Sequence, residues 1–132
     1  MTYLLHQNIL EQAEKAPDHI AFRCGKEEYA YADLAVKMQQ LAAVLQDSGV
    51  RRGDRVGIFL HRCLETSLAI YGILQAGAVY VPIDPTLPEE RIRYLIQDCG
   101  IQCLVSHPSQ RRRLAVLGAE NGMLRTIIGL EA

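Results

Sequence analysis

The spacing of apolar residues predicts helices in several parts of the chain. A first helix over residues 5–13 ends before Pro17, which cannot continue it. A longer helix runs from about residue 31 to residue 48, and Gly49 suits the left-handed position that follows a helix. One apolar stripe along this second helix indicates that it packs against a core, and the stripe consists of Leu34, Met38, Leu41, Ala42 and Leu45.

Short runs of β-branched and aromatic residues predict strands between and after these helices. Residues 20–24 and 28–30 form two short strands around a turn at Gly25-Lys26. From Arg55 onward, strands alternate with helices, and this order predicts an α/β fold with a parallel sheet, right-handed crossovers and helices on the sheet faces. The predicted strands cover 55–60, 79–83, 102–106 and 124–128, and the helices cover 64–76, the segment from a Thr86 cap to Cys99, and 108–117.

Three positions in the predicted helices have specific physical roles. Thr86 and Glu89 match a capping box, in which the two side chains bond to the first backbone N–H groups of the helix. The helix at residue 31 follows Ala30, which offers no side-chain acceptor, so threonine in place of Ala30 is expected to stabilise the fold. Gly72 lies inside a helix at a cost of about 1 kcal/mol relative to alanine, which close packing on the sheet explains.

Composition narrows the class of protein. The chain has 132 residues, 49% of them hydrophobic, which is enough for a globular core. Its net charge of −1 gives no electrostatic footprint for nucleic acid, and the basic run Arg111-Arg112-Arg113 is interpreted as a solvated helix face. The uncharged segment 66–83 contains glycines and Pro82, so it is predicted to be a buried helix followed by a buried strand, not a membrane span.

The four cysteines do not form a recognisable metal or redox motif. Their spacing fits neither a zinc ribbon nor a redox pair, and we interpret them as core thiols. Cys24 and Cys103 fall in predicted strands, where cysteine behaves as a small apolar residue. Without a signal peptide at the amino end, a reducing cytoplasm is the expected location. The four residues are Cys24, Cys63, Cys99 and Cys103.

Three segments of the chain form a recognisable set of motifs: residues 74–85 read LQAGAVYVPIDP, residues 31–34 read YADL, and residues 53–58 read GDRVGI. In that order they resemble the second core motif, the first core motif and the lead into the strand between them of the AMP-forming adenylating enzymes. That family includes acyl-CoA synthetases, acyl or aminoacyl ligases and the adenylation domains of peptide synthetases. The resemblance continues in the same order to Val105-Ser106. It implies that residues 1–132 are a single partial domain without an internal boundary, the start of the family's large N-terminal subdomain.

The resemblance also implies a chemistry whose reactive groups lie elsewhere. The family activates a carboxylic acid with ATP and Mg²⁺ to an acyl-adenylate, and then passes the acyl group to CoA or to a carrier protein's phosphopantetheine. Its phosphate loop follows the segment that this chain matches, and residues 1–132 contain no loop of that kind, no P-loop and no GxGxxG fingerprint. We therefore expect an inactive fragment, with no catalytic, cofactor-binding or metal-binding residue to assign.

Several polar residues near predicted strand ends have two interpretations each. Asp84 either polarises a ligand or accepts N–H bonds within its own proline-rich loop, and the second is favoured. His61-Arg62 either faces an acyl or thiol channel or forms a surface turn, and the turn is favoured. His107 and Cys103 make a weak candidate for a nucleophile pair because no third group orients them. Asp54 with Arg55 is interpreted as a turn acid and a surface base.

Two alternative functions stay open at this point. The first is an interaction module, which either complements a separate remainder or self-associates through uncovered sheet edges and apolar faces. The second is a small nucleotide-binding α/β domain. The second is weaker because a glycine-rich phosphate fingerprint is missing. Uncovered edges predict that the isolated chain dimerises or aggregates.

Overall fold

The fold is known from a computed structural model that describes residues 4–61, 63–120 and 124–130. A short 3₁₀ turn at Pro108–Gln110 precedes the last helix. In chain order the elements are α1 (Gln7–Lys15), β1 (Ile20–Cys24), β2 (Glu27–Ala30), α2 (Tyr31–Asp47), β3 (Arg55–Phe59), α3 (Leu64–Gln75), β4 (Val79–Pro82), α4 (Glu89–Cys99), β5 (Cys103–Ser106), α5 (Arg111–Glu120) and β6 (Thr126–Gly129).

Within the described ranges, four strands form a parallel sheet in the order β4-β3-β5-β6. Val56 of β3 lies opposite Tyr80 of β4 on one side and opposite Cys103 of β5 on the other. The prediction that the three strands around residues 55–60, 79–83 and 102–106 run side by side in one direction is therefore confirmed. The two early strands pair with each other in a separate antiparallel hairpin, as their turn at Gly25 predicts.

The two faces of the sheet have separate cores. On the α3 face, α3 packs on β3 and β4, and α2 packs on α3, with α1 and the hairpin outside them. On the α5 face, α4 and α5 cover the alternate residues of the same strands. Side chains alternate along β3 and β5: Val56, Ile58, Cys103 and Val105 lie in the core of the α3 face, and Phe59 and Leu104 lie in the core of the α5 face.

Glycines end the helices where the sequence predicts. Gly49, Gly77 and Gly100 follow α2, α3 and α4, and their φ angles are +97°, +80° and +65°. A residue with a Cβ adopts this left-handed region at a cost, so glycine makes each turn into the next segment inexpensive. Pro82 is the last residue of β4, as expected for a residue without an N–H.

Gly72 packs on a helix rather than on the sheet, so the predicted reason for this glycine is wrong. A Cβ at this position would lie 2.5 Å from Cδ2 and 2.8 Å from Cγ of Leu41 in α2. The missing side chain lets α2 and α3 approach each other closely. The prediction could not identify this partner because Leu41 is remote in sequence.

The start of α2 has no side-chain cap, as Ala30 predicts. Two backbone carbonyls in the segment before β1 replace it. The N–H of Tyr31 donates to the carbonyl of His19 at 2.9 Å, and the N–H of Ala32 donates to that of Pro17 at 3.1 Å. The loop between α1 and β1 therefore satisfies part of the first turn.

The cysteines only partly follow the prediction of core thiols. Cys103 is buried, but Cys24 is exposed on the hairpin, so the prediction for Cys24 is wrong. Among the described residues β1 pairs only with β2, and the last two residues of β1, Arg23 and Cys24, are both exposed. Cys63 and Cys99 are half-buried, and all four are free thiols.

The uncharged segment 66–83 is a helix followed by a strand, α3 and β4, as predicted. The prediction that the strand is buried is wrong, because β4 is the outer strand of the described sheet and its Val79 is 48% exposed. No helix in the described ranges has both the length and the apolar character that crossing a bilayer requires.

Candidate functional site

The carboxyl ends of β3 and β5 bound a crevice at the point where the chain changes direction across the sheet. From β3 the chain proceeds to the neighbouring edge strand β4, whereas from β5 it proceeds to β6 on the other side. Open α/β sheets bind ligands in a crevice of this kind. The Oγ of buried Ser106 donates to the carbonyl of Phe59 at 2.5 Å, which joins the two strand ends.

A cavity of about 240 Å³ occupies this crevice. It is lined from both sides of the strand junction, by Phe59, Leu60, His61, Cys63 and Glu65 after β3 and by His107, Ser109 and Gln110 after β5. The N-terminal ends of α3 and of the 3₁₀ turn both face this edge of the sheet. This strand-end cavity is the candidate functional site.

Asp84 follows β4 at the same edge and serves its own loop. Its Oδ1 accepts from the backbone N–H of Thr86 at 2.9 Å and from the Thr86 hydroxyl at 2.7 Å. These two hydrogen bonds, backbone first, lower the pKa of Asp84, and the charge of His61 adds a smaller contribution in the same direction. The favoured structural interpretation of Asp84 is confirmed.

The same bonds make the predicted capping box wrong. Thr86 donates to Asp84, and α4 begins after Pro88 without a side-chain cap. Glu89 is instead bound by Arg113, whose Nε lies 2.6 Å from Glu89 Oε1. Asp84, two residues before Thr86, binds the Thr86 side chain, and the distant Arg113 guanidinium binds Glu89. Neither side chain is then left to form the capping box.

Arg113 is not part of a fully solvated helix face, so that prediction is wrong for this residue. Its Nη1 donates to the carbonyl of Pro85 at 2.6 Å, and its guanidinium carbon lies 5.2 Å from the centre of the Phe59 ring. With the Glu89 ion pair, these contacts hold the 84–89 loop against α5. Arg111 and Arg112 are exposed as predicted.

The structure separates His107 from Cys103 and excludes them as a nucleophile pair. Cys103 begins β5 and His107 follows its end, so they lie at opposite ends of the strand, about 13 Å apart at the rise of a strand. Burial raises the pKa of Cys103 to about 11, which keeps the thiol protonated. His107 Nδ1 accepts from the Ser109 N–H at 3.0 Å and caps the 3₁₀ turn.

Among the remaining candidate residues, Asp54 and Arg55 make hydrogen bonds that stabilise the fold. His61 is exposed at the mouth of the strand-end cavity, and Arg62 lies outside the described residues. At the opposite, amino-terminal ends of the strands, Asp54 Oδ2 accepts from the N–H of Arg51 at 2.8 Å, which confirms Asp54 as a turn acid. Arg55 donates to the carbonyl of Cys99 at 3.2 Å and so ties β3 to the end of α4.

Sequence reasoning missed Glu65, the most buried acidic residue of the site. It lies in the first turn of α3 and is 6% exposed. Burial and then a hydrogen bond to Glu65 raise the pKa of the Cys63 thiol. The available signal was a single carboxylate at the start of a helix that is otherwise apolar on nearly every side.

The described side chains around the strand-end cavity are better suited to binding and orienting a ligand than to catalysing a reaction. No group of three His, Cys, Asp or Glu residues in the described ranges converges well enough to hold a metal ion. The described contacts contain no nucleophile held by a base and a third orienting group. Hydrogen bonds instead secure the loops that surround the cavity.

Comparison with known proteins identifies the family of the chain. The family model of the AMP-binding enzymes matches residues 9–129. The chain belongs to the AMP-binding enzyme family. It corresponds to a partial N-terminal segment of the family's fold.

One relative in this family is gramicidin S synthase 2 of Brevibacillus brevis, 39% identical over 115 residues. The match covers 87% of this chain and 3% of that protein. Bacitracin synthase 3 of Bacillus licheniformis is 43% identical over 101 residues, covering 76% of this chain and 2% of that protein. The chain thus spans only a small part of the relatives it matches.

A solved structure shows the same fold. The nonribosomal peptide synthetase FmoA3, in its α-methyl-L-serine-AMP-bound S1046A form, superposes with a TM-score of 0.85 at 29% identity. This match covers 96% of the chain and 14% of FmoA3. The mixed α/β fold and its parallel sheet are therefore those of the N-terminal part of an AMP-binding enzyme.

Proposed function

We propose that the chain is the N-terminal framework of an AMP-forming ligase that activates an amino acid and passes it to a carrier-bound thiol. The observation that supports this most is the family match over residues 9–129, together with relatives that are synthases of gramicidin S and bacitracin. The complete enzyme would use ATP and Mg²⁺, with phosphopantetheine or CoA as the thiol acceptor. Residues 1–132 would form part of one domain without an internal boundary.

In this proposal the chain supplies framework and no reactive group. The side chains best placed for chemistry, Asp84, His107 and Arg113, are held in bonds within loops and turns. No catalytic, cofactor-binding or metal-binding residue is assigned to residues 1–132, and the isolated chain is expected to be inactive. A cytoplasmic location also stays a prediction.

Pyrophosphate exchange tests this proposal. The isolated chain is expected to give no amino-acid-dependent exchange between ATP and pyrophosphate. A chimera in which this chain replaces the superposed segment of FmoA3 is expected to exchange in the presence of α-methyl-L-serine, the amino acid of the adenylate bound in that structure. FmoA3 lacking the segment is the negative control.

Either of two results would contradict the proposal. Robust exchange by the isolated chain would show that it carries reactive groups of its own. A chimera that has the circular dichroism of a folded protein but no exchange would show that the chain cannot serve as this framework.

A second candidate, an interaction module, is supported by the edges of the sheet. In the described part of the chain, β4 and β6 each lack a partner on their outer side. Val79 and Ile127 on these strands are 48% and 40% exposed. Such edges favour pairing with another chain. Light scattering tests this candidate: a monomer at high concentration would argue against it, whereas a dimer or larger species would favour it.

A further inference from the structure

Glu65 is an unusual acidic residue because it is buried and forms no ion pair with a basic side chain of the described residues. Carboxylates are rarely buried unless they are paired. At 6% exposure, Glu65 lies within 4 Å of no basic nitrogen among the described residues. Its side-chain partner among the described residues is the thiol of Cys63, a weak donor whose Sγ also lies 3.7 Å from the Thr66 hydroxyl. A buried carboxylate in this situation retains capacity for a strong donor.

Two cavities meet at Glu65. The strand-end cavity lies on one side, and a second cavity of about 280 Å³ lies on the other. The second cavity is also lined by Glu27, Glu28, Tyr29, Lys37 and Leu64. A ligand that enters either cavity therefore reaches the same acidic residue.

The surroundings of Glu65 favour a positive charge. Burial first, and then Glu65, Cys63 and Glu27, raise the pKa of Tyr29. The nearby cation Lys37 is placed with its Nζ 5.9 Å from the centre of the Tyr29 ring instead of on Glu65. Arg23 is bonded to Glu28 at 2.9 Å. Lys37 and Arg23 are therefore engaged away from Glu65.

The walls of the strand-end cavity favour an alkyl stem. Leu60 lines it together with Glu65, and its side chain is only partly buried, whereas the Phe59 ring lies fully buried under Arg113. An amphipathic cation buries its methylene groups on an apolar wall while its charged end reaches a polar partner. We propose that the cavities lined by Glu65 bind an alkylammonium or alkylguanidinium group, with the cation on the Glu65 carboxylate and the stem along Leu60.

This chemistry has two sources, a free amine or a lysine or arginine side chain from another segment of the parent enzyme. Neither source requires the chain to take part in adenylate formation. Binding of a free amine is independent of the proposed function, whereas the side-chain source rests on it because it requires a parent enzyme. The isolated 132-residue chain is sufficient for the first test.

The first test is a titration of the ¹⁵N-labelled chain with n-butylammonium, followed by NMR. We expect saturable shifts at the amides of residues 63–66. Glu65→Gln is expected to weaken binding about tenfold or more, because a hydrogen bond to a charged group is lost. The matched control is Glu90→Gln, which removes an exposed first-turn carboxylate of α4 and is expected to leave affinity unchanged.

Two outcomes would overturn the inference. The first is that neutral n-butanol produces the same shifts in the unmodified chain as n-butylammonium. That result would exclude recognition of the positive charge. This comparison stays informative even where Glu65→Gln fails to fold. Equal affinity of a folded Glu65→Gln variant would also overturn it.

The FmoA3 chimera distinguishes the two sources. Retained n-butylammonium binding in the chimera would identify a free amine as the occupant. Binding to the isolated chain that disappears in the chimera would identify a basic side chain of the remaining enzyme. Because binding and pyrophosphate exchange are measured separately, failure of one leaves the other test intact.

Discussion

The two faces of the parallel sheet are closed in different ways. On the α3 face, α2 meets α3 through the close contact of Leu41 with Gly72, and both contacting groups are apolar. On the α5 face, Arg113 crosses from α5 to the 84–89 loop and covers the Phe59 ring. Packing of the α3 face therefore depends on side-chain volume, and packing of the α5 face depends on a positive charge placed over an aromatic ring.

The difference teaches which kind of substitution each face tolerates. Added side-chain volume should disturb the α3 face first, because its helices already touch. Loss of a charge should disturb the α5 face first, because one guanidinium serves the Glu89 carboxylate, the carbonyls of Pro85 and Leu87, and the Phe59 ring. The chain has no tryptophan, so circular dichroism during urea unfolding is a suitable measurement for the variants below.

The largest expected effect comes from removing the ring under Arg113. Phe59 is fully buried, and Phe59→Ala should destabilise the fold by about 3–5 kcal/mol. Val116→Ala is the control, since Val116 lies on α5 with 57% exposure and should change stability by less than about 0.5 kcal/mol. Similar unfolding midpoints for the two variants would contradict a core on this face.

The Arg113 contacts come next. Arg113→Met keeps much of the stem but leaves the Pro85 carbonyl and Glu89 without their donor, and it should cost about 2 kcal/mol. Arg112→Met, one position away and exposed, should be nearly neutral. Equal losses would mean that the charge of the basic run, and not the Arg113 contacts, stabilises this face.

The α3 face contains a buried thiol with a pH signature. Burial raises the pKa of Cys103 to about 11, so above about pH 9 the unfolded chain loses this proton while the folded chain keeps it. Stability should therefore fall between about pH 9 and pH 11, by about 1–2 kcal/mol from this group. Tyr29 and Tyr71, whose pKa values are also raised, act in the same direction above pH 10.

Urea unfolding of Cys103→Ala across this pH range isolates the thiol contribution. The variant should be less stable at neutral pH because of the cavity, but its stability should decline less steeply with rising pH. Parallel declines for the two proteins would refute the assignment to Cys103.

Two helical glycines compare the faces directly. Gly72→Ala improves helix propensity by about 1 kcal/mol but forces a Cβ against Leu41, so it should destabilise the fold by a net value of about 1 kcal/mol. Gly118 of α5 has its nearest contact at 3.8 Å, to Leu124 Cδ2, so Gly118→Ala should stabilise by up to about 1 kcal/mol. Effects of the same sign would remove the proposed contrast.

The smallest effect is expected at the start of α2. Ala30→Thr should add about 0.5 kcal/mol, the low end for a new N-cap, because the Ala32 N–H already donates to Pro17. The new hydroxyl is left with the N–H of Asp33. An unfolding midpoint equal to that of the unmodified chain would show that the loop carbonyls already suffice.

Local signals in the sequence predicted most of the elements. The glycines after α2, α3 and α4 set the helix ends, and the apolar runs of β3 and β5 match strands that are buried on both faces. These predictions succeeded because each depends on neighbouring residues. The alternation of elements then sufficed for a parallel sheet.

Contacts between distant residues could not be predicted in the same way. Arg113 lies 24 and 28 residues from its partners Glu89 and Pro85, and only the assembled sheet brings them together. The same contact overrode the capping box that Thr86 and Glu89 match. Glu65 was missed because its burial depends on how the hairpin and the strand ends close around it.

In the proposed function this chain supplies framework and no reactive group, and we expect from this that it does not select the substrate. The most direct test is the amino-acid profile of pyrophosphate exchange by the FmoA3 chimera. The account predicts that α-methyl-L-serine stays the preferred amino acid, with the same order of alternatives as in unmodified FmoA3. A folded chimera that prefers a different amino acid would contradict it, because residues of this chain would then determine selectivity.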